Sequence, residues 1–196
     1  MKKLLLGCFA LFTWQKAAAQ DVHWGVKGGL NVAILQNSAG GETEFKPGFH
    51  AGGLAHIHLV QNFALQPELF YSGQGGKTII GNNEINTNLH YLNLPVLVQY
   101  MFNNGFRVQA GPQIGFLMKA RNEDQNNNEV NVIQNYRTTD FSIPVGVSYL
   151  SDSGLGIDLR WAFGLSNIND VNDRKPEVNN SVGQVGLFFL FHQGHK

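Results

Sequence analysis

Residues 154–166 read GLGIDLRWAFGLS, and every second residue of this stretch is apolar. Leucine, isoleucine, tryptophan and phenylalanine fall on one side, while glycine, aspartate, arginine, alanine and serine fall on the other. A period of two is that of a β-strand, in which successive side chains point to opposite faces. The stretch therefore predicts a strand with one apolar face and one face of small and charged residues.

The same period recurs in seven further segments of the chain. The eight predicted strands cover residues 22–33, 49–60, 63–74, 90–102, 106–119, 139–149, 154–166 and 182–192. No comparable helical period competes with them. Strands of about this length, when tilted, are long enough to cross a bilayer.

The connections between these strands alternate between short and long. Residues 61–62, 103–105 and 151–153 form tight turns, whereas residues 35–48, 75–89, 120–138 and 167–181 form long polar loops. This alternation is typical of an up-and-down barrel with one cell-exterior rim. The sequence predicts an all-β fold, an eight-stranded antiparallel up-and-down transmembrane β-barrel, with both termini on the short-turn, periplasmic side.

The composition of the polar face indicates which face points outward. A soluble lipocalin-type barrel would place its apolar face inside and cover its water-facing side with Lys and Glu. Here the polar face consists mainly of Gly, Gln, Asn, Ser and Ala, as expected for a narrow, filled lumen. The apolar face also carries aromatic residues near both strand ends, which is typical of the two interfaces of a bilayer. We therefore predict that the apolar face contacts lipid.

The N-terminus has the three parts of a secretory signal peptide. Met1–Lys3 is basic, Leu4–Trp14 is apolar but too short to span a bilayer, and Ala17–Gln20 supplies small residues for cleavage. We predict that residues 1–20 are a cleaved signal peptide and that residues 21–196 are the barrel domain. The mature chain then has no cysteine, and 11 basic against 14 acidic residues give it a net charge of −3. Without a basic patch, nucleic acid is not an expected partner.

Six stretches together resemble a known family. They are GVKGGLN (25–31), FHAGGLA (49–55), LQPELFYSGQG (65–75), LHYLNLPVLVQY (89–100), GFRVQAGPQIGFLM (105–118) and GLGIDLRWAFGLSNI (154–168). In combination they resemble the PorT-type outer-membrane β-barrel family of Bacteroidetes over nearly the whole mature chain. The resemblance implies an integral outer-membrane barrel of eight strands. It implies little about activity, and the role in protein secretion of the member that names the family is not carried over.

Charged residues on the lumen face are the first candidate site. We predict a structural charge network in the lumen that comprises Lys27, Glu68, Arg107, Asp158 and Arg160. A buried carboxylate between guanidinium groups is more often a structural plug than an acid catalyst, although Glu68 is the obvious catalytic suspect. The same alternation places Lys119 and Asp140 on the lumen face. A local bulge is our interpretation of how Pro67, next to Glu68, is tolerated in a strand.

Two other groups of residues are weaker candidates. His56 and His58, which share the lumen face with His50, have a spacing that could chelate a metal, but no cysteine or carboxylate pair supports them. Ser72, His90 and Asp140 could lie at the outer rim, where some small barrels carry catalytic groups. No spacing in the sequence singles them out as nucleophile, base and orienting group. We predict no metal, no cofactor and no enzymatic activity.

The function that these observations favour is a structural or interaction role in the outer membrane. The expected protein is a plugged barrel, an accessory subunit of an envelope or secretion complex. Its expected partners are outer-membrane lipid and other envelope proteins, the latter contacted through the long loops, of which 120–138 is rich in Asn. The alternatives are a narrow pore for small solutes and a rim-located enzyme.

Overall fold

The fold is seen in a computed structural model, which describes residues 22–38, 43–80, 83–125, 128–171 and 176–191. The predicted signal peptide, residues 1–20, lies outside the described residues. The strands are β1 Val22–Asn37, β2 Thr43–Glu44, β3 Lys46–Val60, β4 Phe63–Ile80, β5 Asn83–Met101, β6 Phe106–Ala110, β7 Gln113–Glu123, β8 Glu129–Asn131, β9 Thr139–Leu150, β10 Leu155–Gly164 and β11 Val178–Leu190. One 3₁₀ turn, Ile133–Asn135, precedes β9. Within the described part of the chain, no helix is long and apolar enough to cross a membrane.

The strands form one closed antiparallel barrel. Neighbouring barrel strands are also neighbours in sequence, and the first, β1, pairs with the last, β11, from Gly25 opposite Leu190 to Asn37 opposite Val178. The fifth barrel strand consists of β6 and β7, which both pair with β5 and β9 and are separated at Gly111 and Pro112. The short strands β2 and β8 are additions at the long-loop end. The predicted eight-stranded up-and-down barrel is confirmed.

The two faces of each strand differ sharply in exposure, as β10 shows. Leu159 is 57% exposed on the outer face, whereas Asp158 beside it is 3% exposed in the lumen. The outer face of the barrel carries the aliphatic and aromatic side chains, which are the groups that lipid chains solvate well. Two aromatic zones bound this face. Phe63 packs on Tyr100 near the short turns, and Phe49 packs on Tyr71 toward the long loops.

The barrel strands extend further at the long-loop end than the alternation predicts. The predicted loop 75–89 is wrong, since β4 continues to Ile80 and β5 begins at Asn83. Lys77 in this extension forms ion pairs with Glu44 and Glu84, and its hydrogen bond holds the pKa of Glu84 below the usual range. The extension is rich in Gly and Asn, so the strand continues without the apolar alternation that marks it in sequence.

The three tight turns lie where the sequence predicts them. Asn103–Gly105 and Ser151–Gly154 each end on a glycine with positive φ, +84° at Gly105 and +86° at Gly154. The amide of Leu150 donates to the carbonyl of Gly105, and that of Leu190 donates to the carbonyl of Gly154. A residue with a Cβ would be strained at both positions, so each of these turns requires its glycine.

A β-bulge in β7 corrects one predicted lumen residue. His90 pairs with Lys119 and the next residue, Tyr91, pairs with Leu117, so Met118 is an extra residue in β7. Leu117 and Ala120 are buried, whereas Met118 is 63% exposed and Lys119 is also exposed. The prediction that Lys119 faces the lumen is wrong, because the inserted residue reverses the alternation beyond it.

The interpretation of Pro67 as a bulge is also wrong. The register of β4 with β3 and with β5 is the same on both sides of Pro67. The ladder with β3 instead lacks the pairs that Gln66 and Pro67 would form with His56 and Ala55, whereas Pro67 still pairs with Val96 of β5. Proline is thus accommodated by an interrupted ladder rather than by an extra residue.

The bulge predicts a difference in labelling between two neighbouring positions. In the refolded barrel in detergent, a cysteine in Lys119→Cys should react with a small polar maleimide, and one in Leu117→Cys should not, because residue 117 faces the packed lumen. Both should react after denaturation. The background is low because Cys8 is the single cysteine of the sequence and precedes the barrel domain. Protection of residue 119 together with labelling of residue 117 would contradict the bulge.

Candidate functional site

The centre of the lumen holds a network of four buried charges. Glu68 on β4 receives two hydrogen bonds from Arg160 on β10, with Nη1 at 2.9 Å from Oε2 and Nη2 at 3.1 Å from Oε1. Lys27 on β1 donates from Nζ to the same Oε2 at 2.9 Å and lies 4.7 Å from the centre of the Phe70 ring. One carboxylate thereby joins strands from three sides of the barrel.

The fourth charge, Asp158, lies two residues before Arg160 on the same face of β10. Its Oδ1 accepts from Arg160 Nε and its Oδ2 from Nη2, both at 2.8 Å. Gln109 donates to Oδ2 of Asp158, and Gln99 donates to Gln109 at 2.7 Å, which extends the network to β6 and β5. Two cations and two carboxylates balance one another, so the cluster is neutral as a unit.

This cluster is suited to holding strands together rather than to proton transfer. Each oxygen of Glu68 accepts two hydrogen bonds, since Gln66 Nε2 donates to Oε1 at 2.8 Å in addition to the bonds from Arg160 and Lys27. All the groups are buried, and charges out of water are stable only when they are paired and hydrogen-bonded. Four of the five residues of the predicted network, Lys27, Glu68, Asp158 and Arg160, are brought together here.

The fifth, Arg107, lies apart from this network. It pairs in register with Met101 and Ser148, close to the short turns, and forms no ion pair within the described part of the chain. Its Nη1 has no hydrogen-bond partner among the described residues. The alternation assigns Arg107 to the lumen correctly, but it does not give its height relative to the other charges.

The histidines of β3 separate into two environments. His50 bonds through Nδ1 to Asn31 Oδ1 at 2.7 Å, toward the long-loop end. His56 and His58 lie near the short turns with their rings edge to face and centroids 4.7 Å apart. Within the described residues, no group of three or more His, Cys, Asp or Glu is placed to hold a metal ion.

The three rim candidates do not meet. Asp140 accepts from Ser166 Oγ at 2.8 Å and from Asn180 Nδ2 at 3.1 Å, inside the barrel. Ser72, also inside, accepts from Asn31 Nδ2 at 2.9 Å. His90 lies on the outer face, where it stacks on Tyr71 and bonds to its hydroxyl through Nδ1. The wall of the barrel therefore separates the imidazole from the other two groups.

An apolar cluster at the long-loop end was missed by the sequence reasoning. Its buried members are Leu35, Leu89, Tyr91, Leu117, Ala120, Val132 and Ile168. Val132 and Ile168 lie in connecting segments, and their side chains are buried in the cluster near the ends of the strands. Tyr136 packs against them, and its burial raises the pKa of its hydroxyl. The signal in the sequence is a few isolated apolar residues within otherwise polar loops, which period analysis does not detect.

The central network predicts a large difference between two glutamate substitutions. Glu68→Gln leaves two buried cations without one of their counter-charges, and should lower the free energy of unfolding by about 3–5 kcal/mol. Glu44→Gln is the matched control, since Glu44 pairs with Lys77 on the exposed extension and should have no measurable effect. Urea unfolding of the refolded barrel in lipid vesicles measures both. Equal changes in the free energy of unfolding would contradict the proposed contribution of the network to stability.

Comparison with known proteins agrees with this architecture. The family model described as "Outer membrane protein beta-barrel domain" matches residues 15–170. The crystal structure of Neisserial surface protein A is similar, with 13% identity, a TM-score of 0.60 and coverage of 88% of this chain and 100% of that chain. So is the attachment invasion locus protein Ail of Yersinia pestis, solved with the heparin analogue sucrose octasulfate, with 11% identity, a TM-score of 0.54 and coverage of 87% and 99%. At these identities the two structures support the fold alone.

No functionally curated protein gives a significant match. The matched family model nevertheless covers most of the chain, including all the charged residues of the lumen network. The protein belongs to the family of outer membrane protein β-barrel domains, and its place is the outer membrane.

Proposed function

We propose that this protein is a plugged, non-enzymatic barrel with a structural or interaction role in the outer membrane, an accessory subunit of an envelope or secretion complex. Within its family we assign it to the PorT-type branch, on the sequence stretches that resemble that branch. The observation that carries the proposal is the buried network of Lys27, Glu68, Asp158 and Arg160 across the middle of the lumen.

The lumen is blocked at two levels of different chemistry. At the middle, a permeating ion would have to displace charges that already neutralise one another at distances of 2.8–3.1 Å. At the long-loop end it would then meet the apolar cluster around Tyr91 and Leu117, whose aliphatic side chains cannot replace its hydration shell. Eight strands enclose a lumen that side chains can fill, so we expect neither barrier to leave a path beside it.

A narrow pore is the second candidate, and one feature favours it. A cavity of about 480 Å³ opens at the short-turn mouth and is lined by polar residues that include Arg107 and His58. It would serve as the vestibule of such a pore if the central network could open.

A rim enzyme is the third candidate, and the geometry gives it little support. The imidazole of His90 is on the outer face, while Ser72 and Asp140 are buried inside and bonded to Asn31, Ser166 and Asn180. A nucleophile and its base must lie within hydrogen-bonding reach of each other, which these groups do not.

The interaction role is proposed for the long-loop end, which we place at the cell surface with both termini in the periplasm. The alternation of short turns and long connections supports this orientation. The segment from β8 through Ile133–Asn135 stands above the barrel with mostly exposed side chains, while Val132 anchors it to the apolar cluster. Loops held in this way on a rigid scaffold are common sites of binding.

The plugged lumen predicts the absence of steady conductance. Purified barrel inserted into planar bilayers should give no sustained current steps, because both the charged and the apolar level block ion passage. A porin reconstituted in the same way is the positive control. Steady, uniform channels would contradict the plugged barrel and favour the pore.

The surface role predicts position-specific labelling and crosslinking on intact cells. A membrane-impermeant, thiol-reactive photocrosslinker should attach to Gln134→Cys from outside and, after illumination, join the barrel to another envelope protein. Ser153→Cys, in a short turn, is the matched control and should be labelled only after the outer membrane is permeabilised. Labelling of residue 153 alone would reverse the orientation. Labelling of residue 134 without any crosslinked protein would contradict the interaction role.

A further inference from the structure

A second polar site lies at the short-turn mouth, separate from the central network. The cavity there, of about 480 Å³, is lined by side chains of both walls of the barrel, among them His23, His56, His58, Arg107 and Asp152. Leu150 and Leu190 form part of its apolar boundary. The cavity is many times larger than the space that one water molecule needs, so it can admit a small solute together with water.

Arg107 is the charge that distinguishes this cavity. Its side chain is 6% exposed, and Nη1 has no hydrogen-bond partner among the described residues. None of the carboxylates in the described part of the chain lies within ion-pairing distance of it, in contrast to Arg160, which is held by two. A guanidinium cannot lose its proton in proteins, so a buried one is stable only with a compensating anion or water.

His56 adds a hydrogen-bond donor beside that charge, within a group of three histidines. His56 is 0% exposed, and among the described residues neither ring nitrogen makes a hydrogen bond of normal geometry, although the Gln66 side chain lies close by. His58 stands edge to face against His56, and His23 stands edge to face against His58 with centroids 5.8 Å apart. Each neutral imidazole offers one N–H donor, whereas a protonated one offers two and a positive charge.

We propose that this cavity binds a small oxyanion, a phosphate or carboxylate group, with Arg107 supplying the charge and His56 supplying an N–H donor. Planar guanidinium groups match the geometry of phosphate and carboxylate oxygens. A cation is disfavoured because the buried charge of the lining is the guanidinium of Arg107, whereas Asp152, the acidic member of the lining, is in an exposed turn.

The position of the cavity favours a soluble anion over a lipid headgroup. It opens from the lumen at the mouth, while the outer wall at this end presents Trp24, Tyr149 and Phe189 to the membrane. A headgroup phosphate would have to cross the rim of the barrel to reach Arg107, whereas a dissolved ion enters directly.

The test is a titration of the refolded barrel, in a nonionic detergent, with inorganic phosphate. With arginine and histidine isotopically labelled, NMR should show saturable shifts of the Arg107 and His56 side-chain signals. Arg107→Gln should weaken the binding about tenfold or more, because it removes the charged donor. Arg121→Gln is the matched control, since Arg121 is paired with Glu129 at the opposite end of the barrel and should bind as wild type.

A second arginine variant and a lipid titration serve as further controls. Arg107→Lys retains the charge and should retain weaker binding, which guards against a folding defect in Arg107→Gln; the shift in gel mobility on heating reports folding of each variant. Short-chain phosphatidylglycerol replaces phosphate in a parallel titration, and saturation with this lipid alone would assign the oxyanion to a headgroup. Absence of saturation with both probes, or unchanged phosphate binding by Arg107→Gln, would overturn the proposal. Neither result bears on conductance, so the plugged-barrel proposal is tested independently.

Discussion

The closure of β1 on β11 is the constraint on which the rest of this structure depends. Lipid offers no hydrogen bonds, so every backbone N–H and C=O in the membrane must be satisfied within the sheet, and an open edge is excluded. Once the ladder from Gly25–Leu190 to Asn37–Val178 closes the sheet, each strand has one lipid face and one lumen face. The regular alternation of apolar and polar residues in β10 follows from these two faces.

A closed barrel of eight strands then dictates the chemistry of its interior. The lumen is too narrow for bulk water, so a charge placed there needs a partner across the barrel. Glu68 meets this need by joining Lys27 and Arg160, which come from β1 and β10, and Asp158 balances the remaining charge. The network makes the polar interior electrically neutral. It connects strands across the diameter of the barrel, whereas the backbone ladder connects only neighbouring strands.

The parts of the fold that sequence predicted are those governed by local period and turn chemistry. Eight strands, three tight turns and the inward position of Glu68 follow from alternation and from glycine positions such as Gly105 and Gly154. Lys119 was misplaced because one inserted residue, Met118, inverts the period without leaving a sign in composition. The separation of Arg107 from the network depends on strand stagger, which is a property of the closed barrel and not of any one segment. The extension of β4 to Ile80 is not predicted because residues 75–89 are rich in Gly and Asn and carry no apolar alternation.

The central charge network and the apolar cluster also affect how the two ends of the barrel can communicate. The central network lies between an apolar cluster at the long-loop end and a mouth cavity whose Arg107 forms no ion pair within the described residues. Because the central network lies between the two ends, we expect contacts made by the loops and an anion bound by Arg107 to be energetically independent unless the strands themselves shift. Since the strands are locked by a closed ladder and by the charges at Glu68, such a shift would require breaking buried ion pairs. A static scaffold with two separate recognition surfaces is therefore the behaviour that this architecture favours.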